Sequence, residues 1–92
     1  MVRLRGKLVC MTEAERQAVL THRAEHIRLT RAEPGCITFD IDDSDDPMVF
    51  EVMESFRDGP AFEAHQTRTR QSLWFEATRH ILRDFMIEEV GD

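Results

Sequence analysis

Glu54 and His65 are the residues of this chain whose types and setting could do acid–base chemistry. Glu54 falls in MVFEVMESF (48–56), where period-two alternation puts it on one strand face with Met48, Phe50, Val52 and Phe56. A carboxylate among aromatic and branched side chains is partly desolvated and needs a donor. His65 follows in PAFEAH, three residues after Phe62 on the first turns of a helix. The spacing predicts that its imidazole turns into the space between helix and sheet and faces Glu54, directly or through one water. Such a pair would raise the basicity of the imidazole and orient one nitrogen, leaving the other to take a proton from a substrate hydroxyl. The competing reading is a core histidine with both nitrogens satisfied by backbone, side chain or water. Trp74, at helical spacing from His65 and Ile81, reads as packing on its spacing alone.

The remaining candidates have duller readings. HRAEH (22–26) fits the inverted zinc-peptidase spacing, with two imidazoles one helical turn apart and Glu25 between them. A catalytic zinc needs a third protein ligand, and this topology offers no obvious one. His22 and His26 are therefore expected at solvent or at an interface, and no metal is assigned. The acidic run DIDDSDDP (40–47) lacks the Gly and closing Glu of a calcium loop and reads as a solvated turn. Cys10 and Cys36 match no metal spacing and fall short of a disulfide framework, so both are expected as unpaired thiols. Met48, Met53 and Met86 read as packing.

The elements that position these residues follow from periodicity. Residues 2–10 alternate, with Leu4, Leu8 and Cys10 against Arg3, Arg5 and Lys7, as in a half-buried strand. Thr12 and Glu15 make a capping box, and no Gly or Pro follows until Pro34, which predicts a helix of about five turns. CITFDI (36–41) alternates Ile37, Phe39 and Ile41 against Cys36, Thr38 and Asp40, and the polar DDSDDP joins it to the third strand as an antiparallel hairpin. Asp58 caps a second helix with Pro60 in its first turn, continuing through Phe62, His65, Leu73, Ala77 and Ile81, with TRTR (67–70) as the place it could break. DFMIEEV (84–90) reads as the last strand. The order β-α-β-β-α-β predicts one ferredoxin-like α+β domain over residues 1–92, an antiparallel sheet with the helices on one face.

The other sheet face then carries Val9, Thr38, Val49, Met53 and Met86 beside Lys7, Asp40 and Glu51, too apolar in sum to stand in water. A symmetric partner, making a homodimer, is the expectation. The net charge of −6 and basic residues scattered except at Arg68–Arg70 argue against nucleic acid. No apolar run is long enough to span a bilayer. The leading MVRLRGKLVC has neither the apolar core nor the cleavage site of a secretory signal, so a cytoplasmic location without membrane partners is expected.

Three stretches, RAEPGCITFDI (31–41), D-x-x-D-P-x-x-F (43–50) and FEVMESFRDGPAFEAH (50–65), resemble the antibiotic biosynthesis monooxygenase family of the dimeric α+β barrel superfamily, and the element order matches over nearly the whole chain. The resemblance implies a cleft within each protomer, between helices and sheet, while the opposite sheet faces of two protomers close the barrel. By position, Phe39, Phe50, Val52, Phe56 and Phe62 would bind substrate, and His65, Glu54 and Trp74 would be catalytic. Phe56 stands where many members carry Trp, and Arg70 where members often have a second His. The heme-degrading branch has Trp in place of His65 and a later heme-ligating His where this chain has Trp74 and Phe75, so heme is not implied. The implied activity is a cofactor-independent monooxygenase acting on a small aromatic or enolisable substrate. A base removes an acidic proton and the resulting carbanion passes an electron to oxygen, without flavin or metal. Two alternatives fit the same scaffold: a dimeric small-molecule-binding module without turnover, and an isomerase using the same base. A cavity of about 300 Å³ or more, with polar groups converging on it, would separate a ligand site from a packed core.

Overall fold

The alternation of the first residues produces β1 (Val2–Val9), and Thr12 starts α1 (Glu13–Arg31) in the computed structural model, which describes residues 1–91. Thr12 Oγ1 accepts from the Glu15 amide at 3.1 Å, and Glu15 Oε1 accepts from the Met11 amide at 2.7 Å, which satisfies two free amides at the helix start. After Pro34 and Gly35, β2 (Cys36–Asp43) and β3 (Val49–Phe56) form the hairpin. Asp58 Oδ1 accepts from the Ala61 amide at 2.9 Å and starts α2 (Gly59–Arg70). Ser72 caps a short α3 (Leu73–Thr78), and β4 (Leu82–Glu89) completes a sheet of order β2-β3-β1-β4 in which every neighbouring pair is antiparallel. This is the ferredoxin-like arrangement, with the helices on one face. No helix among the described residues is long and apolar enough to cross a membrane, and Cys10 and Cys36 are free thiols.

Local chemistry overrides the sequence pattern in three places. The second helix is two: it stops at Arg70, the last residue of the TRTR where a break was expected, and Ser72 Oγ accepts from the Phe75 amide at 3.2 Å to restart the chain as α3. Ile81, which the spacing puts on that helix, is buried in the turn before β4, and β4 begins at Leu82, two residues earlier than the alternation suggests. A bulge between Cys36 and Thr38 pairs Cys36 with Phe56 and turns Ile37 outward, so the inward residues of β2 are Cys36, Phe39 and Ile41.

Register decides what stands at the centre of the sheet. The inward row across all four strands reads Phe39, Glu54, Leu4, Ile87, and the next reads Ile41, Val52, Gly6, Phe85. Glu54 therefore sits on a central strand with an apolar neighbour on each side. Helix α1 is pinned over the β2 edge. Arg31 Nε donates to the Phe39 carbonyl at 3.0 Å and its guanidinium pairs with Asp40 at 2.7 Å, while Arg23 donates to the Ile41 carbonyl at 3.3 Å and pairs with Asp43 at 2.9 Å. These arginines engage backbone that an edge strand would otherwise expose, and they fix which side of α1 looks inward. The outer sheet face is open in the protomer. There Arg5 lies between Met53, 49% exposed, and Met86, 69% exposed, and Lys7 lies between Glu51 and Asp84.

Gly6 is the tight point of the sheet: a Cβ on it would stand 2.1 Å from the Asp84 carbonyl oxygen and 2.7 Å from the Phe85 ring. Backbone cannot yield as a side-chain tip would, so β4 must shift. Gly6→Ala is expected to lower stability by about 1–3 kcal/mol, read as a fall in the urea midpoint; an unchanged midpoint would contradict this account of the β1–β4 packing.

Candidate active site

Between the helices and the inward sheet face lies a cavity of about 270 Å³. Its sheet side is apolar, from Leu4, Leu8, Phe39, Ile41, Val52, Phe85 and Ile87, interrupted by Glu54 and Arg83. The helices supply His26 from α1, His65, Gln66, Thr69 and Arg70 from α2, and Trp74 and Phe75 from α3. The volume is just below the common range for small-molecule sites and suits a ligand of about one ring. Arg70 is exposed, while Glu54 and His65 are only 6% and 2% exposed.

His65 is held from outside the cavity. Its Nδ1 lies 2.9 Å from Oε1 of Glu33, so Nδ1–H donates to that carboxylate and Nε2 is left as the acceptor. Glu33 follows α1 in the turn before Pro34 and is fixed in its turn by Arg68, whose Nε donates to Oε2 of Glu33 and whose Nη2 donates to Thr30 Oγ1 at 2.8 Å. Nε2 of His65 has Thr69 Oγ1 at 3.4 Å and Glu54 Oε1 at 3.7 Å. The second distance exceeds a hydrogen bond but keeps carboxyl and imidazole side by side. Phe56 backs the imidazole, its ring centroid 4.8 Å away.

Burial sets the protonation states. Glu54 is pushed up to about 7, chiefly because its charged form is desolvated, with the Glu33 charge adding and Arg83 opposing. Burial pushes the His65 imidazole down, outweighing the pull of Glu33 in the other direction. Near neutral pH the pair is therefore an unprotonated imidazole beside a carboxyl poised between its two forms. Arg83 comes from β4 and folds back onto the end of α3, donating to the Thr78 carbonyl at 2.8 Å and to Thr78 Oγ1 at 2.9 Å. It brings a partly buried cation to the cavity wall.

On the α1 and α3 side, the rings of His26 and Trp74 stack in parallel, centroids 4.9 Å apart and planes 2° apart. His26 also meets the Phe39 ring edge-on at 5.2 Å and lies 5.9 Å from His65.

The family model for antibiotic biosynthesis monooxygenases matches residues 1–77. The chain belongs to this family. Solved structures of low identity share its fold. A candidate antibiotic biosynthesis monooxygenase from Deinococcus radiodurans superposes with a TM-score of 0.81 at 21% identity, over 100% of this chain and 94% of that one. One from Nitrosomonas europaea gives 0.79 at 19% identity over 98% of both chains, and a Mycobacterium tuberculosis protein gives 0.75 at 21% identity over 99% of this chain and 95% of that one. No curated protein matches the sequence.

In this antibiotic biosynthesis monooxygenase domain, Phe39, Val52, Glu54, His65 and Trp74 line the cavity, the positions the resemblance implied, whereas Phe50, Phe56 and Phe62 do not. Phe50 is core beneath the Arg23 guanidinium, 5.3 Å from its ring centroid, and Phe56 packs against Phe62 at 5.7 Å behind His65. They share the inward side but lie at its ends, where helix and sheet close together. His65 does turn into the cavity and face Glu54, 3.7 Å away, but its hydrogen-bond partner is corrected: Glu33, not Glu54, makes the direct bond, and burial lowers the imidazole rather than raising it. His26, expected at solvent or an interface, is buried in the wall. A signal for these misses existed. His26, Thr30 and Glu33 fall at i, i+4 and i+7, one helical stripe, and Arg68 lies one turn after His65.

The raised Glu54 has a signature in stability. The folded carboxyl, at about 7 against an ordinary 4.5, binds its proton more tightly than the unfolded chain does. Its contribution is thus fully present below pH 4.5 and lost as pH rises to about 7. Glu54→Gln removes this dependence, so the variant should gain on the wild type across that window, by on the order of 3 kcal/mol at pH 8. Urea midpoints of the two proteins that run parallel from pH 4 to 8 would contradict a desolvated Glu54.

Proposed function

We propose that this domain is a cofactor-independent monooxygenase for a small aromatic or enolisable substrate, with Glu54 and His65 as its base. The observation that carries the reading is a carboxyl at the sheet centre, poised near 7 at the wall of an apolar cavity and 3.7 Å from an imidazole nitrogen that accepts. A general base works best with a pKa near the operating pH. The substrate is an acidic C–H or O–H compound. Glu54 takes the proton, His65 Nε2 stabilises the carboxylic acid so formed, and Glu33 and Arg68 keep the imidazole in the tautomer this requires. Arg83 faces the oxygen on which the enolate or phenolate charge collects.

The apolar wall keeps water from returning the proton. With an activated methylene as substrate, the carbanion passes one electron to oxygen, and the radical pair couples to a hydroperoxide that receives the abstracted proton. Loss of the second C–H proton with cleavage of the O–O bond then leaves a carbonyl and one water. One substrate and one oxygen molecule account for every atom, and the substrate supplies the electrons. The working unit in this reading is a homodimer closed through the outer sheet face, where Met53 and Met86 flank Arg5 and Lys7 stands between two acids.

Oxygen uptake with a panel of polyphenols and 1,3-dicarbonyls tests the activity. Glu54→Gln and His65→Ala should each lower the rate by about a hundredfold or more. The wild-type rate should rise with pH through about 7, as Glu54 loses its proton, and Glu54→Gln should lack that limb. Ligand binding without uptake would favour the binding module, and exchange of a substrate C–H proton without uptake would favour the isomerase. For the dimer, light scattering at micromolar concentration should give twice the chain mass. Met53→Asp with Met86→Asp should give the monomer with its helical circular dichroism intact; a monomeric wild type would overturn that part.

A further inference from the structure

Arg83 lines the cavity and, among the described residues, forms no ion pair. Burial works against its charge, and a partly desolvated cation without a carboxylate is an incomplete arrangement. Its guanidinium is fixed from one side. Nη1 donates to the carbonyls of Thr78 at 2.8 Å and Ile81 at 3.1 Å, and Nη2 donates to Thr78 Oγ1 at 2.9 Å. These bonds leave Nε–H and the second Nη2–H unclaimed, parallel on one edge of the guanidinium plane. That edge takes a carboxylate side-on, as where Arg28 of this chain donates from Nε and Nη2 to the two oxygens of Glu25 at 2.9 and 2.5 Å. Among the described residues, the buried side-chain atoms left without a partner are His26 Nδ1 and Glu54 Oε1, so the unclaimed edge of Arg83 is not sealed off.

We propose that Arg83 is a specificity-determining residue and that the substrate is an acid, a hydroxyaryl or enolic carboxylate whose ionised oxygen and a neighbouring carboxylate oxygen share the free edge of the guanidinium. The inference rests on the active-site reading given above and narrows its substrate. A simple phenolate or enolate brings one oxygen to that edge and leaves the second donor unanswered. A carboxylate beside it supplies the second oxygen, in the plane and near the spacing that a guanidinium fork matches. The charge around the cavity agrees. The chain carries a net charge of −6, yet the charged side chains lining the cavity are Arg70, Arg83 and Glu54, and Glu54 holds its proton to about 7. Arg70 is exposed at the mouth and, among the described residues, it too forms no ion pair. A pair of cations beside an acid that is half neutral favours an anion over a neutral molecule of the same shape.

The test uses the chain's single tryptophan, whose indole N–H gives one ¹H–¹⁵N signal from the cavity wall. Salicylate is titrated against wild type beside salicylamide, which has its shape without the charge, and 4-hydroxybenzoate, which sets the carboxylate apart from the hydroxyl. Wild type should bind salicylate about tenfold or more tighter than either. Arg83→Lys keeps a cation but has no fork, and the ratio of salicylate to salicylamide should fall severalfold. A second readout needs no variant: the Nε–H signal of Arg83 should move downfield on adding salicylate and stay in place on adding salicylamide. No preference for salicylate in wild type, a ratio unchanged in Arg83→Lys, an unmoved Arg83 signal, or no binding of any of the three overturns the proposal. Oxygen uptake separates this inference from the reading beneath it. Uptake with neutral polyphenols and no preference for the acid leaves the monooxygenase reading standing and this inference overturned. A preference for the acid with no uptake from any compound overturns the monooxygenase reading and upholds the role of Arg83 in binding.

Discussion

A carboxyl almost cut off from water is the constraint around which this domain is arranged. Glu54 points inward from a central strand, between Phe39 on one side and Leu4 on the other, and the helix layer closes over it. Its solvation is replaced only in part: an imidazole lies near one oxygen and a partly buried arginine acts at longer range. The group answers by holding its proton to about 7 instead of ionising fully. A hydrophobic residue at that position would pack better. A carboxyl there costs stability as it loses its proton near neutral pH.

The imidazole beside it depends on residues outside the cavity. Arg68 from α2 reaches Glu33 at the end of α1, and Glu33 reaches back to His65 on α2, so one hydrogen-bonded chain ties the two long helices together and fixes the histidine tautomer. Each member satisfies the next, which is the condition under which a partly buried polar network is tolerated. The break after Arg70 belongs to the same design. Ser72 caps α3 and turns the chain so that Trp74 lies flat on His26 instead of continuing along the axis of α2.

The two sheet faces divide the remaining work. The inward face is apolar and covered by the helices over β1, β2 and β3, with Ile87 at the β4 edge left half exposed and Arg83 and Glu54 entering the cavity, and Gly6 lets Phe85 lie close against β1. The outward face mixes methionines with alternating charge and is left unclosed by the protomer. The same β3 residues serve both purposes by turns, Val52 and Glu54 inward, Met53 outward. A one-residue slip of that strand would exchange cavity for surface.

The sequence by itself determined the order of the elements, the hairpin, the caps at Thr12 and Asp58, and the inward direction of Phe39, Val52, Glu54 and His65. Each of these is set by neighbours within a few positions: alternation along a strand, a helical turn, a side chain reaching an amide three residues on. The sequence puts His26, Thr30 and Glu33 on one helical stripe, but tertiary structure decided that this stripe is the buried one, that Glu33 is the partner of His65, and which aromatics face the cavity. Glu33 and His65 are far apart in the chain, and only the way the turn after α1 and helix α2 come together over the sheet makes them touch. Phe50, Val52 and Phe56 are equivalent by alternation, yet Val52 lines the cavity and the phenylalanines do not, because Arg23 covers Phe50 and Phe62 and His65 cover Phe56. The sign of the His65 shift was decided there too: a nearby carboxylate and burial pull the imidazole in opposite directions, and which one wins depends on how completely the surrounding rings exclude water.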